Sequence, residues 1–353
     1  MGSLEIRDSM YYFCTYFDQH YLEKGLTLYH SLIQNCSPFK FWILCMDDTT
    51  YTILSGLQLP QVHLILLADF ERNDLPLLNA KQNRSLVEYY FTCTPNLPLY
   101  ILNHFSEVDC ITYLDADLYF FSDIEPIFNE MKNKSILMIG HRFPQSLKNL
   151  ESRGIYNVGL LSFRHDKNGL ACLQWWRDRC LEWCFDRVEA GKYADQKYLD
   201  YWPDRFAGVV VLKHKGAGLA PWNIDNYDYS IENDKLLIDG QPLIMYHFQG
   251  LTQENRWMYD LHMSTYKTKL PKILLERLYY PYIEDLKRSK SIVNATMIPQ
   301  FQCIQTIRTR RDNLPIFMRS YRFILYLLSP FKFLGKIING DIIVRPNQQN
   351  PPK

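Results

Sequence analysis

The chain has 353 residues, 47% hydrophobic and 15% aromatic, enough to bury one large core or two modest ones. Lys and Arg total 39 against 38 Asp and Glu, a formal charge of +1, which excludes a nucleic-acid partner drawn by bulk charge. The nine cysteines are scattered and odd in number, with no Cys-x-x-Cys pair, which argues against a disulfide framework or a zinc site and for a reducing compartment.

Met10–Phe17 reads as a first strand, and Leu22, Leu26, Tyr29, Leu32 and Ile33 then recur at helical spacing. Phe41–Met46 is a second apolar strand ending at Asp47-Asp48, and Val62–Leu67 a third. Strand, helix, strand repeated in this way predicts an α/β fold with a doubly wound, mostly parallel sheet and right-handed crossovers. Ala80–Phe105 reads as helix interrupted near Pro95 and Pro98. The strand leading to Asp115 follows, then a helix near Ile124–Lys132 and strands at Ser135–Gly140 and Ile155–Phe163. Gly169–Ala190 predicts a long amphipathic helix, Asp195–Trp202 a short helical piece, and Val209–Lys213 and Leu243–Phe248 further strands. From Glu254 the pattern turns helical and basic, and a Pro/Gln/Asn tail closes the chain. The expected units are therefore residues 1–253, a helical extension over 254–340, and a disordered tail over 341–353. No apolar leader and no stretch of about 20 apolar residues is present, so the expected location is cytoplasmic.

The sharpest local signal is Leu114-Asp115-Ala116-Asp117, where an apolar strand ends in two carboxylates. In an extended backbone these side chains share one side while Ala116 points away. Paired carboxylates at a sheet edge repel and resist desolvation, which calls for a cation between them. A hard divalent ion shared with a diphosphate meets that demand. A lone Asp-x-Asp triplet is close to what chance supplies, and the weight comes from its place at the carboxyl end of a strand, where open α/β sheets bind ligands.

Four islands in order then resemble the nucleotide-sugar glycosyltransferases of GT-A fold, especially glycosyltransferase family 8. They are Leu114–Asp117, Tyr156-Asn157-Val158-Gly159-Leu160, Asp195-Gln196, and His247-Phe248-Gln249-Gly250, and the likeness covers roughly residues 10–250. It implies metal ligation by Asp115, Asp117 and His247, with Ala116 between the carboxylates. The ion would be Mn²⁺, favoured by an imidazole ligand, or Mg²⁺. It also implies a sugar contact by Asn157, space made by Gly159, a donor-binding place for Gly250, and donor-sugar roles for Asp195 and Gln196, with retention of configuration. Nucleotide contacts are expected from Thr15, Tyr16 and Asp18 at the tip of the first strand and from Asp47 after the second.

Two departures stand out. The family's His-x-x-Gly continues into Lys-Pro-Trp, whose lysine approaches the diphosphate, whereas Leu251-Thr252-Gln253 follows here. Arg84 and Lys81, on the helix before the metal strand, are the first candidates for the missing phosphate cation, with Arg256 behind them. Lys197 stands where an acid is frequent in the family.

The function expected is metal-dependent transfer of a sugar from a nucleotide-diphosphate donor, a UDP-sugar favoured, to a glycan or lipid-linked acceptor in surface-glycan synthesis. A sugar nucleotidyltransferase is the alternative enzyme, although Thr15–Tyr21 lacks the glycines of a triphosphate loop. A non-catalytic nucleotide-sugar or glycan-binding module is the other. Near the C-terminus Arg319, Arg322, Lys332 and Lys336 alternate with apolar residues from Phe317 to Ile337. That pattern suits either an anionic membrane face, giving peripheral attachment at the inner surface, or packing on the core or in a dimer.

Overall fold

The computed structural model describes residues 10–36, 38–255, 257–305 and 341–344. Its frame is a seven-stranded sheet in the order β3-β2-β1-β4-β7-β6-β8. These strands are β1 (Tyr11–Phe17), β2 (Phe39–Cys45), β3 (Val62–Leu66), β4 (Cys110–Leu114), β6 (Ile136–Gly140), β7 (Tyr156–Arg164) and β8 (Val209–Val211). The short β5 (Leu118–Phe120) leaves this sheet to pair elsewhere. β1 runs parallel to β2 from Tyr11↔Phe39 to Phe17↔Cys45, and parallel to β4. β7 lies antiparallel to both β4 and β6, so the sheet is mixed rather than wholly parallel.

Period-2 alternation divides the strands between two cores. In β2, Phe41, Ile43 and Cys45 enter one cluster and Trp42 and Leu44 the other. The first face is covered by α1 (Leu22–Asn35) and α2 (Asp48–Leu57). Short helices α3 (Leu67–Phe70) and α4 (Leu75–Gln82) lead to α5 (Leu86–His104), which covers the second face with α7 (Lys167–Glu182). Between these, α6 (Glu125–Met131) packs Ile127 and Met131 into the first face. All the described cysteines are free and most are buried, as the apolar settings of Cys14, Cys45 and Cys172 predict.

Two expectations about helices are corrected. Ala80–Phe105 is two helices rather than one, because Ser85 caps α5 with Glu88 in a reciprocal capping box. Pro95 and Pro98 do not break α5. Tyr89, Cys93, Leu97 and Ile101, one stripe at four-residue spacing, are all buried against the sheet, and that burial outweighs the backbone hydrogen bonds the prolines remove. The long helix α7 also stops at Glu182, eight residues before Ala190.

The chain beyond residue 201 passes through α8 (Trp202–Arg205) and a small antiparallel sheet of β9 (Tyr229–Glu232), β10 (Lys235–Ile238) and β11 (Gln241–Pro242). β12 (Met245–His247) then pairs antiparallel with β5, setting His247 opposite Leu118. After Glu254 the chain is not immediately helical. β13 (Thr252–Gln253) pairs with β14 (Met258–Asp260), which also pairs with β15 (Ile342–Val344), so the segment expected as a disordered tail begins in a strand. The helical part starts at α9 (Lys272–Leu274) and continues in α10 (Tyr280–Gln305). α10 packs on α1, where Thr27 Oγ1 donates to Ser289 Oγ at 2.9 Å. Among the described residues no helix is long and apolar enough to cross a membrane. The basic, apolar segment Phe317–Ile337 and Arg256 lie outside the described residues.

Candidate functional site

Asp115 and Asp117 do not lie on a straight strand. Leu118 N–H donates to the Asp115 carbonyl at 3.2 Å, closing a turn between β4 and β5, and Asp115 N–H donates to the Gly159 carbonyl at 2.9 Å. The turn, not strand periodicity, brings the two carboxylates together. β12 supplies the third group, fixed by Phe248 N–H donating to the Asp117 carbonyl at 2.9 Å. His247 Nε2 stands 3.0 Å from Asp117 Oδ1 and 3.6 Å from Asp115 Oδ2.

These three side chains each offer a ligand atom, all within 4.8 Å of one another. Both His247 ring nitrogens are buried without a hydrogen-bond partner, so the close approach to Asp117 lacks hydrogen-bond geometry. Burial raises the pKa of Asp115, against the pull of His247. Asp117 is more deeply buried, yet His247 and Lys24 hold it down at about 2. Burial works against a charged His247 ring, and Asp117 and Asp115 nevertheless keep its pKa above the ordinary histidine value. Two carboxylates and an imidazole converging without hydrogen bonds fit a divalent cation. Tyr113 supports the set by donating to Asp115 Oδ1 at 2.9 Å. Gly159 leaves it room, since a Cβ there would lie 2.5 Å from Asn157 Oδ1 and 3.0 Å from His247 Nδ1.

Beside Asp115 opens a cavity of about 240 Å³. Its polar groups include His141, Arg153, Asn157, Asp195 and Gln196, and its walls include Tyr16, Phe143, Trp222 and Tyr266. The register of β7 against β6 slips between Leu137 and Ile139, and Asn157 sits at that irregularity. Asn157 Oδ1 accepts from Gly159 N–H at 2.9 Å, and Nδ2 lies 3.3 Å from His141 Nε2. Burial pushes His141 down to about 3, so its ring is neutral. Asp195 is buried, which together with Asp115 pushes its carboxyl up to about 7 against the pull of Thr94. Trp176 Nε1–H holds the Asp195 carbonyl at 2.8 Å, and Ala194 before it adopts a left-handed φ of 45°.

The sequence candidates are distributed unevenly around this centre. Tyr16, Asp115, Asn157, Asp195 and Gln196 line the cavity. Ala116 is buried in the turn, and Gly250 has a φ of 82° after β12. Thr15 is buried inside the sheet, and Asp18 accepts from Tyr90 Oη at 3.1 Å. Asp47 caps α2 through Thr50 N–H and ties the β1 loop through Gln19 N–H, at 2.7 and 2.8 Å. Arg84 is not brought to the site: it donates to the Leu181 carbonyl and lies 4.0 Å over the Phe185 ring. Lys81 pairs with Glu71 at 2.6 Å, and Lys197 with Asp200 at 2.6 Å.

No family model matches the chain. Two Bacillus subtilis (strain 168) proteins do, uncharacterized protein YfnD at 31% identity and uncharacterized protein YfnF at 35%. The first match spans 79% of this chain and 90% of YfnD, the second 67% and 80% of YfnF. The chain belongs to the family of YfnD and YfnF. Those names assign no activity. Among solved structures it resembles the galactosyltransferase LgtC with donor and acceptor sugar analogs (13% identity, 76% of this chain, 100% of that one, TM-score 0.47). It also resembles apo mouse xyloside xylosyltransferase 1 (15%, 69%, 98%, TM-score 0.43) and GlyE of Streptococcus pneumoniae TIGR4 (17%, 83%, 64%, TM-score 0.47). At that level of likeness the activity of this YfnD/YfnF relative has to be argued from its own site.

Sequence reasoning missed His141, Arg153, Trp222 and Tyr266, which come from loops far apart in the chain. His141 directly follows β6, and that position at a strand's carboxyl end was the available signal. Arg153 ends a 3₁₀ segment (Gln145–Arg153) with no motif to mark it.

Proposed function

We propose that this protein is a metal-dependent glycosyltransferase that moves a sugar from a nucleotide-diphosphate donor to a glycan or lipid-linked acceptor. The observation that carries this reading is one geometry. A three-ligand cation site shares Asp115 with a cavity whose deepest acid, Asp195, sits near neutrality. The cavity is smaller than the roughly 300–1,000 Å³ of drug-sized sites, a size for one sugar ring rather than a whole nucleotide sugar.

Asp115, Asp117 and His247 would hold the ion, with Mn²⁺ favoured over Mg²⁺ by the imidazole. When bound, that ion offsets charge on the leaving diphosphate. The chain's own residues do the rest. Tyr16 and Trp222 wall the ring, Asn157 and the neutral His141 offer hydrogen bonds to hydroxyls, and Asp195 and Gln196 stand at the end where the anomeric carbon would lie. A carboxylate there stabilises positive charge developing on the sugar, the term that costs most to leave unmet in a dry site. Retention of configuration is the favoured outcome, a UDP-sugar the favoured donor, and surface-glycan assembly the favoured setting. In that setting the segment Phe317–Ile337 docks the enzyme on anionic lipid.

The test is a panel of nucleotide sugars incubated with the protein and Mn²⁺, read by release of nucleoside diphosphate and by thermal shift. One donor should release its nucleotide slowly without acceptor and not at all in excess chelator. If no nucleotide sugar shifts the melting point and none is hydrolysed, the reading is wrong. Membrane docking is read by flotation with anionic vesicles, comparing the full chain with one in which Arg319, Arg322, Lys332 and Lys336 are changed to Gln. Equal flotation of the two, or none by either, removes that part.

A further inference from the structure

The stretch Leu251–Trp257 directly after Gly250 lacks a lysine, and the structure turns Arg84, Lys81 and Lys197 to other partners. A leaving diphosphate carries more charge than one divalent ion cancels, so a further cation is needed on the metal side of the cavity. We propose that Lys24, on the first turn of α1, is the residue that meets the donor diphosphate, an inference that rests on the glycosyltransferase reading.

The placement follows from how α1 lies along β5. Ser31 Oγ accepts from Phe120 N–H at 3.2 Å, and Asn35 Nδ2 donates to the Phe120 carbonyl at 2.9 Å, so helix and strand run in the same direction. Lys24 is seven residues before Ser31, which returns it to the same helix face about 10 Å towards the N-terminus. Three residues back from Phe120, also about 10 Å along β5, is Asp117, the turn residue that leads into that strand. Lys24 is therefore level with the cation site.

The side chain is also free to act. Its ammonium rests 4.4 Å over the ring of Tyr21 and forms no salt bridge with a carboxylate among the described residues. Tyr21 is 44% exposed, and its hydroxyl feels Asp117, Asp115 and Asp18 together. A cation–π resting place of this kind holds a lysine near the site, and a doubly charged phosphate group outcompetes it. Arg153, on the cavity side over Tyr193 at 5.5 Å, is the cation that faces the sugar instead.

The test is calorimetric binding of UDP, UMP and Mn²⁺ alone to the full-length protein, its Lys24→Gln variant and its Lys24→Arg variant. Lys24→Gln should weaken UDP in the presence of Mn²⁺ by about tenfold or more, leave UMP within about twofold, and flatten the salt dependence of UDP binding. Lys24→Arg should recover most of the loss. A lysine that only balances the carboxylates gives a different pattern: Lys24→Gln then tightens Mn²⁺ and leaves UDP unchanged, which overturns the proposal. If the unaltered protein binds neither UDP nor any other nucleoside diphosphate with Mn²⁺, the glycosyltransferase reading falls and this inference with it. An unchanged melting point of Lys24→Gln without ligand confirms that the comparison is between folded proteins.

Discussion

Asp195 has a folded-state pKa of about 7 against the ordinary aspartate value of 3.8. The folded protein keeps a proton that the unfolded chain gives up, so this residue's stabilising share is fully present below about pH 4. It is lost as pH rises through 7. Asp195→Asn, neutral at every pH, should therefore raise the melting point of the metal-free protein at pH 8 and hardly at all at pH 5. Equal shifts at the two pH values would show that Asp195 ionises normally. The same substitution should cut kcat about 100-fold with little change in nucleotide affinity, because it removes charge made useful only in the transition state. Asp115 and Asp117 should also part company. The Asp115 side chain is 29% exposed, whereas Asp117 is 9% exposed and nearer to a His247 whose pKa is raised. Either change to Ala should abolish Mn²⁺ binding. Asp117→Ala removes the carboxylate nearest the buried His247 ring, and it should cost about 1–3 kcal/mol in denaturant unfolding of the apo protein. Asp115→Ala should cost far less.

The elements show what a sequence read by pattern can and cannot deliver. β1, β2 and β4 were legible because each is a short apolar run with buried residues on both faces, and the edge strand β3 by its apolar run alone. The antiparallel setting of β7 was not, since strand direction is chosen by partners many residues away. The two prolines of α5 misled for a related reason: their cost is local, while the burial that outweighs it belongs to the packed sheet. Of the site, Asp115, Asp117, Asn157, Asp195 and His247 could be read from motif and order. His141 and Trp222 could not, because only the packing of distant loops gives them a common centre. The capping box of α5 makes its own prediction. Glu88 loses solvation on folding, but hydrogen bonds from Ser85 and from Asp186 N–H hold its pKa below the ordinary glutamate value. A lowered folded pKa contributes stability above the unfolded value that is lost as pH falls through the folded one. Ser85→Ala should cost about 1 kcal/mol at pH 7 and visibly less at pH 3.5, measured by urea unfolding at both. A cost independent of pH would mean that Glu88 is not engaged.

Across the whole molecule the boundary expected at residue 253 does not separate two bodies. Tyr119 of β5, Tyr246 and Phe248 around β12, and Tyr279, Tyr282 and Leu286 of the C-terminal helices form one buried cluster. Phe248 stacks on Tyr282 at 3.7 Å between ring centroids, Tyr246 and Tyr279 share a hydroxyl hydrogen bond at 2.8 Å, and Tyr119 donates to Asp285. A chain ending at residue 253 should therefore fail to fold cooperatively and show no single thermal transition. If it melts sharply, the extension is dispensable. Residues 341–344 also belong to the body, because β15 completes the small sheet and Asp341 accepts from Ser264 N–H at 2.7 Å.

The turn between β4 and β5 has a further consequence. Asp117 and His247 are roughly 130 residues apart in the chain, and a bond between such distant points removes much of the freedom of the segment between them. That segment contains β6, β7 and α7, and so most of the wall of the cavity. An ion shared by the two ends works as a clasp on this loop. The cation site would then also be a fastening, and removal of a bound divalent ion would loosen the cavity before it touched the rest of the sheet.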